Sequence, residues 1–326
     1  MVELFGKVSV DWLGKRKLFI GISAALLLIG LISLASKGQF RYGVDFKGGT
    51  IVTVRFMEKP DIERIRQALR DGGAPNTQPQ EVVGTNDILI EYGEEAGAAD
   101  TTADPSKGRE VIESALNRVY AGKYETRSAT SIGAKVGADL RRQAVLATLY
   151  ALGGILVYIA FRFEWIYGAA AVFAVFHDTL VTLGLFSLFN RPINLTVIAA
   201  LLTLVGYSVN DTIVVFDRIR ENLRTRRRDD LQAVMNDSIN QTLSRTILTS
   251  GLTFITVMAL FVFGGEIISH FAFAMVIGII VGTYSSIAMA APLVLIYSKA
   301  RGQMALPAAS ARRPGPAKVP RPVKAK

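Results

Sequence analysis

The stretch "NLTVIAALLTLVGYSVNDTIVVFDRIREN", Asn194 to Asn222, decides how the rest of the chain is read. From Leu195 to Phe216 it is apolar and long enough to cross a bilayer, for which roughly 20 residues are needed. Yet Asn210 and Asp211 lie inside it. A carboxylate within a span costs about 2.5–3.5 kcal/mol on insertion scales, so it faces other helices and takes a partner or a proton. Asp211 therefore marks a candidate functional site.

The surrounding sequence has the same character. Half of the 326 residues are hydrophobic, mean hydropathy is positive, and the apolar residues are gathered into blocks. Most blocks lack the polar face that a soluble amphipathic helix shows every third or fourth residue. The expected fold class is a polytopic α-helical membrane protein with six transmembrane helices, at 18–36, 140–161, 165–189, 193–217, 246–265 and 271–298. The first follows Lys15, Arg16 and Lys17 but lacks a small-x-small cleavage site beside a polar stretch, so it reads as an uncleaved helix.

The formal charge of +10 is placed as topology requires rather than as nucleic-acid binding requires. Lys7, Lys15, Arg16 and Lys17 precede the first span, Arg162 follows the second, and six arginines fall between Arg218 and Arg228. Eight Lys or Arg lie in the segment 299–326, whereas the short loops on the other side hold only Arg191. Both termini are thus expected in the cytoplasm, with a loop at 218–244 on the same side. The Ala/Pro-rich tail from Arg301 lacks apolar periodicity and is expected to be disordered and solvated, with anionic membrane lipid or ribosomal RNA as its alternative contacts.

Residues 37–139 are left outside the cytoplasm. From Gln39 to Ala138 they hold 13 basic and 15 acidic residues, too balanced for a nucleic-acid partner. "TIVTVRF" alternates as a strand does, and "PDIERIRQALRDGG" puts Ile62, Ile65 and Leu69 on one helical face. "EVVG" and "DILIEYG" read as strands, "REVIESALNRVY" as a helix with Val111, Ala115, Leu116 and Val119 inward, and "YETRSATSIG" as a last strand. That order predicts a small α+β ferredoxin-like extracytoplasmic domain.

Tyr207 and Ser208, four and three residues before Asp211, share its face and are expected to hydrogen-bond it, while Asn210 points about 100° away toward a neighbouring helix. Arg245 opens the fifth span on the side where Asp211 lies, and its long stem suits an ion pair. Three alternatives stay open: Asp211 as a polar tie between helices, Arg245 snorkelling to the interface, or Arg245 paired with Asp217. His177 and Asp178, in the third span, suit either a proton path or a buried structural pair. Neighbours on a helix point in different directions, so the two are not expected to share a ligand. Gly278 and Gly282 form a GxxxG for close helix packing, continued by Ser285, Ser286 and Ala288. With no cysteine, two histidines and no HExxH spacing, no metal or other cofactor is expected. No nucleophile-base pair or phosphate loop suggests an enzyme.

Taken together, "VDFKGGT", "HDTLVTLG", the opening stretch and "NQTLSRTILTS" resemble the SecF side of the SecD/SecF family of bacterial protein-export membrane proteins. The resemblance implies half of a resistance-nodulation-division plan, working with a SecD-like six-span partner beside the Sec translocon channel. Protons, exported unfolded polypeptides and the cytoplasmic (inner) membrane come with it. Asp211 and Arg245 match the family's embedded acid and its basic partner. Asp45, Gly48 and Gly49 resemble its motif at the start of the outer domain, with Lys47 where Thr or Ser is common. The competing readings are half of a small-molecule or lipid exporter of the same superfamily, and a structural assembly factor for a translocon.

Overall fold

Among the described residues, six helices are long and apolar enough to cross a membrane. They belong to a computed structural model that describes residues 9–75, 77–82, 84–93, 105–162, 164–226 and 228–300. The tail from Arg301 lies outside the described residues. The spans are α1 (Arg16–Lys37), α5 (Ala134–Arg162), α6 (Trp165–Leu188), α7 (Leu195–Thr225), α8 (Leu231–Phe263) and a last one in three parts. This last begins as α9 (Gly265–Ser285), passes through a π-helical turn at Ser286–Ala290 and ends as α10 (Ala291–Ala300). Between α1 and α5 come a one-turn α2 (Val44–Lys47), then β1 (Gly49–Phe56), α3 (Ile62–Asp71), β2 (Gln78–Glu81), β3 (Asp87–Gly93), α4 (Pro105–Tyr120) and β4 (Tyr124–Ile132).

α7 and α8 run well past their apolar stretches, so the segment expected as a loop at 218–244 is largely helical, with α7 ending at Thr225 and α8 beginning at Leu231. The lipid limits hydropathy, but it does not limit the backbone ladder. Polar contacts carry the pair onward: Asn222 donates to Ser238 Oγ at 2.8 Å and Arg226 to Asp237 at 2.7 Å. Asp230 then caps α8 by accepting from the Ala233 amide at 3.1 Å.

The four strands lie in the order β2-β3-β1-β4, every pair antiparallel, which is the ferredoxin-like arrangement. Val52, Val54, Phe56, Ile88 and Ile90 form one side of its core, with Ile65 and Leu69 of α3 and Ile112, Ala115 and Leu116 of α4 on the other. Two details differ from expectation. β2 lies three residues before "EVVG", because a short polar edge strand carries no alternation to read. On α4 the buried row is Ile112, Ala115 and Leu116, and Val119 turns outward, 38% exposed.

Several contacts tie this sandwich to the bundle. The Gly43 amide donates to Ile193 O and the Ile193 amide to Arg41 O, both at 2.8 Å. Asp45 accepts from the Leu195 amide at 2.9 Å and so helps cap α7, which carries Asp211. Gly48 and Gly49 have φ of 86° and 142°. A Cβ on Gly49 would come within 2.3 Å of Tyr92 O, and one on Gly48 within 2.8 Å of Ala134, so neither position admits a side chain.

α1 turns its small residues inward and its large ones out. Ser23, Gly30 and Ser33 are buried, while Leu31 and Ile32 are exposed, the pattern expected where lipid is the solvent. A Cβ on Gly30 would lie 2.7 Å from the Gly184 Cα of α6, so the two backbones touch. Before α1, the backbone of Val10–Leu13, which enters a turn at Trp12, is clamped by two side chains of α8. Asn236 accepts from the Trp12 amide at 2.8 Å and donates to Val10 O at 2.9 Å. Asn240 accepts from the Trp12 indole at 3.0 Å and donates to the same carbonyl at 3.0 Å.

Candidate functional site in the helix bundle

The bundle has two apolar cores, stacked along the helices. One includes Val175, Val209, Val215, Leu243 and Ile287; the other, toward the sandwich, includes Phe186, Leu204, Val257, Met275 and Ile279. Between them each of α6, α7, α8 and α9 contributes polar residues, so a polar layer crosses the molecule where the cores meet.

Asp211 of α7 is 2% exposed. Its Oδ2 accepts from Ser250 Oγ of α8 at 2.9 Å. Thr283 of α9 has one hydroxyl proton and two acceptors within reach, Ser250 Oγ at 2.9 Å and Asp211 Oδ2 at 3.5 Å. Arg245 does not touch Asp211. It is exposed on α8, and its charge reaches the carboxylate only through space. Helix geometry explains the separation: Arg245 lies about 140° around α8 from Ser250, the residue that faces Asp211, and roughly 7.5 Å along the axis.

The second carboxylate, Asp178 of α6, is equally buried. Its Oδ2 accepts from Ser208 Oγ at 2.6 Å and from Ser285 Oγ at 2.8 Å. Its Oδ1 lies 3.0 Å from His177 Nδ1, so these neighbours bond each other although their ring and carboxylate leave the helix in different directions. The expected Ser208–Asp211 bond is thus replaced by Ser208–Asp178. Ser208 stands about 60° around α7 from Asp211, enough to aim it at a different helix. Gly282 makes room for this, since a Cβ there would sit 3.2 Å from Ser208 Cβ and 3.6 Å from Asp178 Oδ2. Gly278 likewise receives Leu204, whose side chain a Cβ would meet at 2.4 Å.

Of the other expected residues, Tyr207 has a buried hydroxyl with no hydrogen-bond partner among the described residues, as do His177 Nε2 and Thr246 Oγ1. Asn210 is exposed on the outside of the bundle, and Asp217 is exposed farther along α7 beside Arg220 and Arg224. Ser250 and Thr283 were not expected. Ser250 was legible, because Ser238, Thr242, Thr246 and Ser250 recur every fourth residue as a buried hydroxyl stripe on α8. Among the described residues no group of three His, Asp or Glu side chains is arranged to hold a metal.

The fold and this layer define a multi-pass helical membrane protein with an α+β sandwich inserted after its first span and two carboxylates buried between its helices. Residues 32–56 match the SecD/SecF GG motif, and residues 111–300 match the C-terminal part of the protein export membrane protein SecD/SecF. The chain belongs to the SecD/SecF family. A protein translocase subunit SecF of Koribacter versatilis is 40% identical, with 97% of each chain covered. That of Calditerrivibrio nitroreducens is 42% identical over 90% of this chain and 95% of the relative. Crystalline SecDF of Thermus thermophilus, a translocon-associated membrane protein, superposes with a TM-score of 0.73 at 36% identity over 90% of this chain. This chain spans 39% of that longer one. SecDF in a super-membrane-facing form gives a TM-score of 0.69 at 35% identity.

Proposed function

We propose that this chain is a SecF-type subunit of the Sec protein-export machinery and that Asp211 is its proton-binding group. The subunit role follows from the family. The proton role rests on one observation: Asp211 is buried within the bundle, held by neutral hydroxyls, with its cation out of contact. A carboxyl so placed is poised between two states. Protonated, it stays in the hydroxyl layer; ionised, it draws the Arg245 guanidinium, and α8 must rotate or tilt for the two to meet. One proton crossing ~100 mV releases about 2.3 kcal/mol, a bias of roughly 50-fold on such a switch. Moving a polypeptide therefore takes many cycles.

The buried hydroxyls of Tyr207 and Thr246 lie one turn before Asp211 on α7 and one turn before Ser250 on α8. As the two helices run in opposite directions, these hydroxyls flank the carboxylate along the membrane normal and suit water or a passing proton. Asn210, exposed on a membrane-spanning face, has an amide that lipid cannot satisfy, which supports a SecD-like six-span partner covering that face. In this reading both termini lie in the cytoplasm of a bacterium, and the sandwich stands outside its inner membrane, beside the translocon channel and the emerging polypeptide.

The test is Asp211→Asn, assembled with its partner in inner-membrane vesicles. Proton-dependent stimulation of export is expected to disappear while the complex still co-purifies. Undiminished stimulation would falsify the assignment. A fixed salt bridge in an assembly factor, the competing reading, predicts instead that the complex falls apart.

A further inference from the structure

Where the sandwich meets the bundle there is an open cleft of about 590 Å³. Arg66 and Arg70 of α3 line it from above, Arg41 from the segment after α1, and Arg191 from the turn between α6 and α7. Among the described residues no Asp or Glu lines it. Of the acids outside the lining, Glu63 pairs with Arg66, and Glu91 feels the charge of Arg41 through space. Four guanidiniums converging on one cleft repel each other, and an anion within it relieves that repulsion.

The geometry points to a phosphate-bearing anion as the occupant of this cleft, with a membrane phospholipid headgroup as the source the site fits best. Guanidinium planes match phosphate oxygens in pairs, which suits this donor set better than a diffuse charge would. Gln80, 5% exposed, adds a nearly buried amide to the wall. Depth identifies the source. The floor is the sandwich end of the bundle, Phe189 to Pro192 with Ser269 and His270, where chain passes from the apolar core to the polar domain. Arg191 is already fixed there, donating to Ser269 Oγ at 2.9 Å and stacked 4.4 Å from the Phe273 ring centre. Arginine side chains at the ends of membrane spans anchor at the headgroup level of a bilayer. Phe189, 60% exposed at the cleft edge, offers acyl chains an apolar surface directly below the arginines. A headgroup seated here would bridge α3 and the bundle, so lipid composition would set how firmly the sandwich is held.

The inference is independent of the proton role and is tested apart from it. The full chain is placed in nanodiscs of phosphatidylcholine, short-chain phosphatidylglycerol is titrated in, and bound lipid is counted by native mass spectrometry. One saturable phosphatidylglycerol is expected. Arg66→Gln with Arg70→Gln should weaken its binding at least fivefold, and the Lys double variant at these positions should restore part of it. Both residues lie on the domain surface, and an unchanged melting curve verifies the fold; Arg109→Gln on α4 should bind as the parent does. Inorganic phosphate is the second arm. If it binds at the same arginines and the lipid does not, the phosphate chemistry stands and the source is soluble. Equal uptake of phosphatidylcholine and phosphatidylglycerol, or no loss in the Gln variant, overturns the proposal. Displacement of the lipid by an oligoglutamate peptide at lower concentration than the lipid itself requires would also overturn it, and would make the cleft a polypeptide site.

Discussion

Asp178 and Asp211 lie in the same polar layer, on adjacent helices and at equal burial, yet they are held differently. Asp178 has both oxygens engaged, by Ser208, Ser285 and its own neighbour His177. The hydrogen bonds to Asp211 both end on Oδ2, and one of them is stretched to 3.5 Å. The difference separates a carboxylate bonded through both oxygens from one bonded through a single oxygen. Desolvation alone does not make a proton site; the loosely held member of the pair is the one suited to change state.

The sharpest way to break this contrast is to neutralise each acid in turn. Asp211→Asn is expected to reduce proton-driven export at least tenfold, and Asp178→Asn much less, because an amide facing His177 Nδ1 is satisfied when the imidazole proton moves to Nε2. Imidazole nitrogen shifts of labelled His177 report that tautomer change. Equal losses in the two variants would erase the distinction.

Truncation should invert the ranking. Asp178→Ala leaves the Ser208 hydroxyl and an imidazole nitrogen without their acceptor, at about 1–3 kcal/mol for each group left unsatisfied, while Ser285 keeps Gly282 O at 3.1 Å. Asp211→Ala removes fewer bonds, so its melting midpoint should fall less. Gly282→Leu drives a side chain into Ser208 and Asp178 while sparing Ser250, and overpacking of this kind costs about 1–3 kcal/mol. Its loss should appear in stability before it appears in proton response. Thr283→Val deletes the one hydroxyl shared between Ser250 Oγ and Asp211 Oδ2, about 1 kcal/mol, yet it should shift the pH profile of export.

A carboxyl outside the membrane gives the smallest effect and a reference. Burial first, and then nearby Asp45, push Glu91 of β3 above the usual carboxylate range, with Arg41 opposing. A raised value in the folded state means that its stabilisation is complete at low pH and fades as pH rises through that value. Protection factors of β3 amides in the full chain, exchange rates divided by the intrinsic rate at each pH, should therefore fall slightly from about pH 4 toward neutrality, and Glu91→Gln should flatten the slope.

Much of this architecture could be read from residues, and the misses share a cause. Apolar length located the six spans, and the strand-helix order located the sandwich, because both are one-dimensional patterns. Ends of α7 and α8 escaped, since hydropathy stops at the lipid while hydrogen bonding does not. Within the site, Asp211 announced itself by its cost, but its partners did not. Rotation around each helix decides whether Ser208 meets Asp211 or Asp178, and whether Arg245 or Ser250 faces inward. On α7 that rotation is matched by Gly278 and Gly282, which receive Leu204 and Ser208 and which spacing flagged without saying what each glycine receives. Asp45 belongs to the same class: near the sandwich in sequence, it caps the helix that carries the site.

The clamp on Val10–Leu13 bears on how the molecule is made. Its two jaws, Asn236 and Asn240, are synthesised more than 220 residues after the backbone they grip. Chains fold from the N-terminus as they emerge at about 5–20 residues per second, so the first span waits at least ten seconds with its leading segment unfastened. Closing that clamp joins the earliest part of the chain to the fifth of its six spans. It is thus a late event in assembly, and a natural point at which an incomplete bundle differs from a finished one.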